Sequence, residues 1–196
     1  MRYLTTTLSL ALAIGLIACG GAAEEEGDME ADTAAMEEAT AEEAAAGGMT
    51  TPEWMTVDEN ARTVTMEIDA GSNDANNRWN FNGMYADNGS ITVPEGYEVT
   101  IDFSNSDPTQ PHSLGIDEQM DQWPATFDNP QPVFEGAITA DAATSGTPPN
   151  ESETITFTAG EAGDYSMVCY IAGHAVAGMV IPFHVSAEGE AGAVVP

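Results

Sequence analysis

The stretch Cys169-Tyr170-Ile171-Ala172-Gly173-His174-Ala175-Val176-Ala177-Gly178-Met179 decides how this chain is read. It sets a thiol, an imidazole and a thioether at successive spacings of five residues. Past its end, Met179, Ile181, Phe183 and Val185 recur at every second position, the period of a half-buried β-strand. A loop between two strands can present Cys169 where one strand ends, His174 at the tip and Met179 where the next begins. One thiolate and two imidazoles in a trigonal set, with a weak axial thioether, make a blue (type 1) copper site. Soft sulfur favours Cu(I) and imidazole accepts Cu(II), so the mixed set suits a metal that cycles between them. Zinc is the weaker reading, because a thioether is not among its usual ligands.

Such a site needs a second imidazole, and the chain has three histidines. His184 alternates with Phe183 and Val185, so it faces away from Met179 and reads as a surface residue. His112, in Gln110-Pro111-His112-Ser113, follows the alternating run Tyr97, Val99, Ile101, Phe103 after a polar turn. Elimination leaves His112. The expected ligands of one copper ion are therefore His112, Cys169, His174 and Met179. Ser113 and Asn105 are candidates for supporting that set from behind. Ordinary turn chemistry accounts for them equally well.

Working outward, further period-two runs occur at Val64, Met66 and Ile68, at Ile91 and Val93, and at Ile155 and Phe157. Clusters of Gly, Pro, Asn and Asp separate them. This pattern predicts an all-β, antiparallel sandwich or barrel over residues 51–188, followed by a flexible tail at 189–196. Residues 117–150 read as a long excursion between strands, with a short helix or small strand near Glu135 to Thr139.

The other cysteine, Cys19, lies in a different context. Residues 1–18 carry Arg2 and then an apolar run too short for a comfortable membrane span, as in a signal peptide. Leu16-Ile17-Ala18-Cys19-Gly20 resembles a bacterial lipobox, which implies cleavage before Cys19 and lipidation of its sulfur. The mature chain is then expected to be exported and anchored on the periplasmic or extracytoplasmic side of a bacterial membrane, without spanning it. Residues 19–50, of which ten are acidic, lack aromatic and β-branched aliphatic residues and read as a disordered, self-repelling linker.

Charge narrows the partners. Three Lys+Arg stand against 33 Asp+Glu, a net charge of −30, which excludes nucleic acid because no basic patch could neutralise phosphate. The acidity suits either hydration in concentrated salt or steering of a basic partner. Between Tyr165 and Ala187 there is no charged residue at all. Ala172, Gly173, Ala175, Val176 and Ala177 therefore form an expected docking surface, with His174 as the electron exit. Uncharged surroundings and an axial Met179 together predict a high reduction potential.

The loop resembles that of cupredoxins with four residues between Cys and His and four between His and Met. Trp79-Asn80-Phe81-Asn82-Gly83, Ile91-Thr92-Val93-Pro94-Glu95-Gly96-Tyr97, Pro111-His112-Ser113, Phe134-Glu135-Gly136-Ala137 and Gly178-Met179 resemble, in order, segments of the sulfocyanins. This resemblance covers roughly residues 62–187 and implies a cupredoxin-type Greek-key β-sandwich or barrel. It implies a monomeric electron carrier of a respiratory chain, with a cytochrome or terminal oxidase as donor or acceptor. Copper storage or delivery is the alternative function. It would require exchangeable ligands, often several methionines together, whereas Met49, Met55 and Met66 are scattered. An oxidase or reductase needs additional histidines for a catalytic copper, and only His184 is left over.

Overall fold

The computed structural model describes residues 48–196. The expected signal peptide, Cys19 and almost all of the expected linker lie outside the described residues. Nine strands are described: β1 (Met55–Asp58), β2 (Thr63–Ala70), β3 (Ser90–Pro94), β4 (Glu98–Asn105), β5 (Gly115–Glu118), β6 (Ser152–Thr158), β7 (Gly163–Val168), β8 (Val180–Ser186) and β9 (Gly192–Val194). They form two sheets, ordered β1-β2-β4-β6 and β5-β7-β8-β3-β9. The chain crosses from one sheet to the other at every step from β2 to β7.

The alternation read from the sequence is the alternation of burial. Val64, Met66, Ile68 and Ala70 of β2, and Val99, Ile101 and Phe103 of β4, turn inward with no exposed surface. Ile91 and Val93 of β3 and Ile181, Phe183 and Val185 of β8 meet them from the other sheet. Each such side chain removed from water contributes on the order of 1.5–3 kcal/mol before the entropy of ordering is counted.

Most ladders are antiparallel, as expected, but two are parallel: β2 with β4 and β3 with β8. The crossovers explain this. β3 leaves the first sheet between β2 and β4, so β4 returns in the direction of β2 instead of folding back in a hairpin.

The C-terminal residues depart from the expected flexible tail. Strand β9 pairs antiparallel with β3, and Ala193 is fully buried. Ala193 also exchanges both backbone hydrogen bonds with Thr50, at 2.7 and 2.9 Å. The ordered domain therefore includes Thr50, which had been expected in the linker. β3 would otherwise leave an open ladder edge, and the two terminal segments close it.

The excursion over 117–150 carries more structure than a surface loop. Ile138 bridges Gly115, and Ala137 accepts a hydrogen bond from Ile116 (3.0 Å), so this segment runs along β5. Phe127 then sets its ring edge-on to Tyr170, with centroids 4.8 Å apart. Together with Trp123 and Ala142 they form a second small core over the outer face of β7, behind the Cys169 loop.

Candidate metal centre

The loop after β7 is closed at its mouth by backbone bonds. The Cys169 N–H donates to the Met179 carbonyl (3.1 Å), and the Met179 N–H donates to that of His174 (2.9 Å). Gly173 and Gly178 turn the loop with φ of 87° and 96°, where a side chain would strain the backbone. Cys169 and Met179 are both fully buried in the main core. His112 arrives on the segment after β4, pinned by paired backbone bonds with Thr147 (3.2 and 2.7 Å).

These elements bring three donor atoms face to face. His174 Nδ1 lies 3.2 Å from His112 Nδ1 and 3.5 Å from Cys169 Sγ, and Cys169 Sγ lies 4.0 Å from His112 Nδ1. A triangle with those sides has a circumscribed radius of about 2.1 Å, close to the ~2.0–2.3 Å of metal–nitrogen and metal–sulfur bonds in protein sites. A metal ion at its centre would thus reach all three atoms without rearrangement.

The protonation chemistry agrees. Burial, with repulsion from His112, lowers His174 to about 4. Burial likewise lowers His112, against the pull of Asp107. Both rings therefore offer lone pairs at neutral pH. Burial pushes the Cys169 thiol up to about 11, opposed by the Ser113 and Ile171 N–H groups. A cation must displace that proton to obtain the thiolate, as metal binding at cysteine does.

Two supporting residues named from the sequence make contacts around this set. The Ser113 N–H points to Cys169 Sγ at 3.4 Å, and its hydroxyl lies 3.7 Å from the sulfur. That hydroxyl accepts the Tyr170 N–H (2.9 Å), so its own proton is free to face the sulfur. Asn105 touches no donor atom. Its amide donates to the Gln110 and Thr147 carbonyls (2.9 Å each), and its oxygen accepts the Asp107 N–H (3.0 Å). It braces the segment that carries His112.

Asp107 was not anticipated. It is 2% exposed, and its Oδ2 accepts from His112 Nε2 at 3.3 Å. Its Oδ1 accepts the Thr109 N–H, the Thr109 hydroxyl and the Gln110 N–H. Burial alone would raise its pKa, but those donors and His112 hold it below the usual carboxylate value. A proton held at Nε2 by this carboxylate leaves Nδ1 bare and aimed at the other donors. Gly71, at φ 72°, lets the backbone pass Asp107, since a Cβ there would stand 2.9 Å from the Asp107 Cβ. The expected uncharged surroundings therefore hold along the ligand loop and fail at His112, where a buried anion favours Cu(II).

A family model described as the Sulfocyanin (SoxE) domain matches residues 51–193. The chain belongs to the sulfocyanin family. Sulfocyanin of Sulfolobus acidocaldarius is 30% identical over 122 residues, which cover 60% of this chain and 61% of that protein. Among solved structures, reduced auracyanin of Roseiflexus castenholzii is 28% identical, with a TM-score of 0.45 over 62% of this chain and 96% of its own. Auracyanin A of Chloroflexus aurantiacus, described as a "blue" copper protein, is 26% identical, with a TM-score of 0.44 over 63% and 99%. In this member of the sulfocyanin family, His112, Cys169, His174 and Met179 are positioned as a type 1 copper site.

The expected docking surface needs correction. Ala172, Val176 and Ala177 are exposed, Val176 by 57%, and Gly173 is half-buried. Ala175, however, is buried in the second small core, because the turn at Gly173 points it inward. His174, the expected electron exit, is only 2% exposed. Trp79 stacks on its ring, with centroids 4.3 Å apart and planes 19° apart. His184 lies outside the site, bonded to Asp164 at 2.7 Å.

Proposed function

We propose that this protein is a single-electron carrier, exported and held by a lipid on Cys19 at the outer side of a cell membrane, that passes electrons between respiratory-chain components. The observation that carries this reading is the buried trigonal set of His112, Cys169 and His174, joined by Met179 from the same loop. Copper supplies the one-electron couple there.

The chain supplies what makes that couple fast and stable. Two packed sheets fix both ends of the ligand loop, so gain or loss of an electron meets little rearrangement. Asp107 holds the His112 proton on Nε2, away from the donor face. The N–H groups of Ser113 and Ile171 face the sulfur and offset its negative charge. The surrounding core keeps bulk water out. Ligands that are at most 2% exposed argue against ready exchange of the metal, and so against storage or delivery.

The tether rests on the lipobox-like Leu16–Gly20 and on the acidic stretch that follows it. A cytochrome or a terminal oxidase is the proposed donor or acceptor, met by a monomer through Ala172, Gly173, Val176 and Ala177.

The direct test is purification with copper, followed by visible and electron-paramagnetic spectra of the wild type and Cys169→Ser. The wild type is expected to be intensely blue and reversibly reducible by one electron, and Cys169→Ser colourless. A blue Cys169→Ser protein, or a colourless wild type with readily exchanged copper, overturns the assignment.

A further inference from the structure

We propose that Trp79 is the outermost ring of the electron route, lying between His174 and the redox partner, so that the partner docks against the indole and not against the histidine edge. This rests on the electron-carrier reading and adds the contact point to it.

Three observations carry the proposal. First, His174 is sealed at 2% exposure and so presents almost no surface to a partner. Second, Trp79 lies nearly parallel to it at 4.3 Å and is itself only part-buried, so the residue that covers the ligand also meets solvent. Electronic coupling falls steeply with each gap in contact, and a stacked π-system fills that gap.

Third, the chain goes to unusual lengths to hold the indole there. Asn76, Asn77 and Arg78 form a short turn in which all three have positive φ (47°, 56° and 69°), although none is glycine. Successive residues in that region are rare, and such strain concentrates at functional sites. Asn76 locks the turn from both sides. Its amide donates to the Trp79 carbonyl (2.9 Å) and to the Ala177 carbonyl (3.1 Å) on the ligand loop. Behind the indole, the fully buried Asn80 side chain donates to the Asn73 and Ala75 carbonyls and accepts the Gly83 N–H. Phe81 anchors the same segment against Phe103 in the core. The Trp79-Asn80-Phe81-Asn82-Gly83 motif is thus the mount for the ring that covers His174.

The partner this face fits is a one-electron redox protein with a basic rim. The net charge of −30 steers it, while the exposed Val176 and the part-buried Trp79 offer an apolar centre. The electron passes from the partner's reduced centre to Cu(II), giving Cu(I) and the oxidised partner, with no proton or group transferred.

The test uses full-length copper-loaded protein, a small basic c-type cytochrome and tris-phenanthroline cobalt(III) as a non-protein oxidant. Trp79→Phe is expected to keep the exchange rates within about threefold of wild type. Trp79→Leu, which is apolar but lacks a π-system, is expected to lose at least about tenfold with both reagents while remaining blue. A Trp79→Leu protein that exchanges as fast as wild type or faster shows that the indole is only a shield, and overturns the proposal. A second measurement needs no variant. In the wild type with Cu(I), the indole N–H resonance of Trp79 should shift on adding the reduced cytochrome, while that of Trp54, which lies away from the ligand loop beside β2, should not. An unmoved Trp79 signal with a shift elsewhere also overturns it. If the wild type itself exchanges electrons with neither reagent, it is the electron-carrier reading that fails.

Discussion

Replacing Asp107 by asparagine should raise the reduction potential of the copper site by about 100 mV. The carboxylate lies 3.3 Å from His112 Nε2, across the imidazole from the donor face. Adding the ring and one metal–nitrogen bond puts its charge roughly 7 Å from the metal position. At an effective dielectric of about 20, a unit charge at that distance favours Cu(II) over Cu(I) by about 2.4 kcal/mol, or about 100 mV for one electron. The substitution also disturbs the hydrogen bond to His112. Asp107 uses one oxygen for the Thr109 and Gln110 donors and the other for His112. Asparagine has a single oxygen and must leave one side facing an NH₂ group. If that side is His112, the ring is driven toward the tautomer protonated at Nδ1, and copper affinity falls, by about 10–100-fold for changes of this kind. A less basic ligand also favours Cu(I), so both effects act in the same direction. Spectroelectrochemical titration of both proteins at one fixed ionic strength measures the shift. A rise below about 25 mV, the value for a charge screened as in bulk water, or any fall, refutes the reasoning.

Three further outcomes are expected. Asn105→Ala leaves the buried Asp107 N–H without its partner and removes one of the two donors to the Thr147 carbonyl, which should cost about 2 kcal/mol in denaturant unfolding of the copper-free protein; a loss under about 1 kcal/mol means the segment closes without it. Val176→Asp places a charge at the exposed large apolar side chain of the ligand loop. Measured at high salt, where steering is screened, it should slow electron exchange with a basic cytochrome about tenfold, and an unchanged rate removes this loop from the docking face. Cys19→Ala should move the exported protein from the detergent phase to the aqueous phase in a cloud-point partition, and retention in the detergent phase excludes the lipid anchor.

The line between what sequence settled and what the fold settled follows from the range of the interactions. The ligand loop was legible because donor identity is covalent chemistry and because its spacing is local. His112 was legible because only three histidines exist and strand alternation turned His184 away from Met179. The strands that build the core were legible because a sheet buried on one face imposes period two on the chain. Strand β9 was not, since Gly-Ala-Val carries no alternation of its own and is ordered only by an open edge on β3 and by Thr50. Asp107 is just five residues from His112, yet among 33 acids nothing in the sequence singled it out. Its role exists only because a turn buries it against the imidazole. Ala175 and Val176 are adjacent and both apolar, and only the turn of the loop decides that one is core and the other surface. Trp79 and His174 lie far apart in the chain, and no periodicity links them. The sequence alone therefore determined which residues supply the donor atoms. The tertiary structure decided which charge tunes those atoms and which ring stands between them and the outside, because both depend on packing between segments that no local pattern encodes.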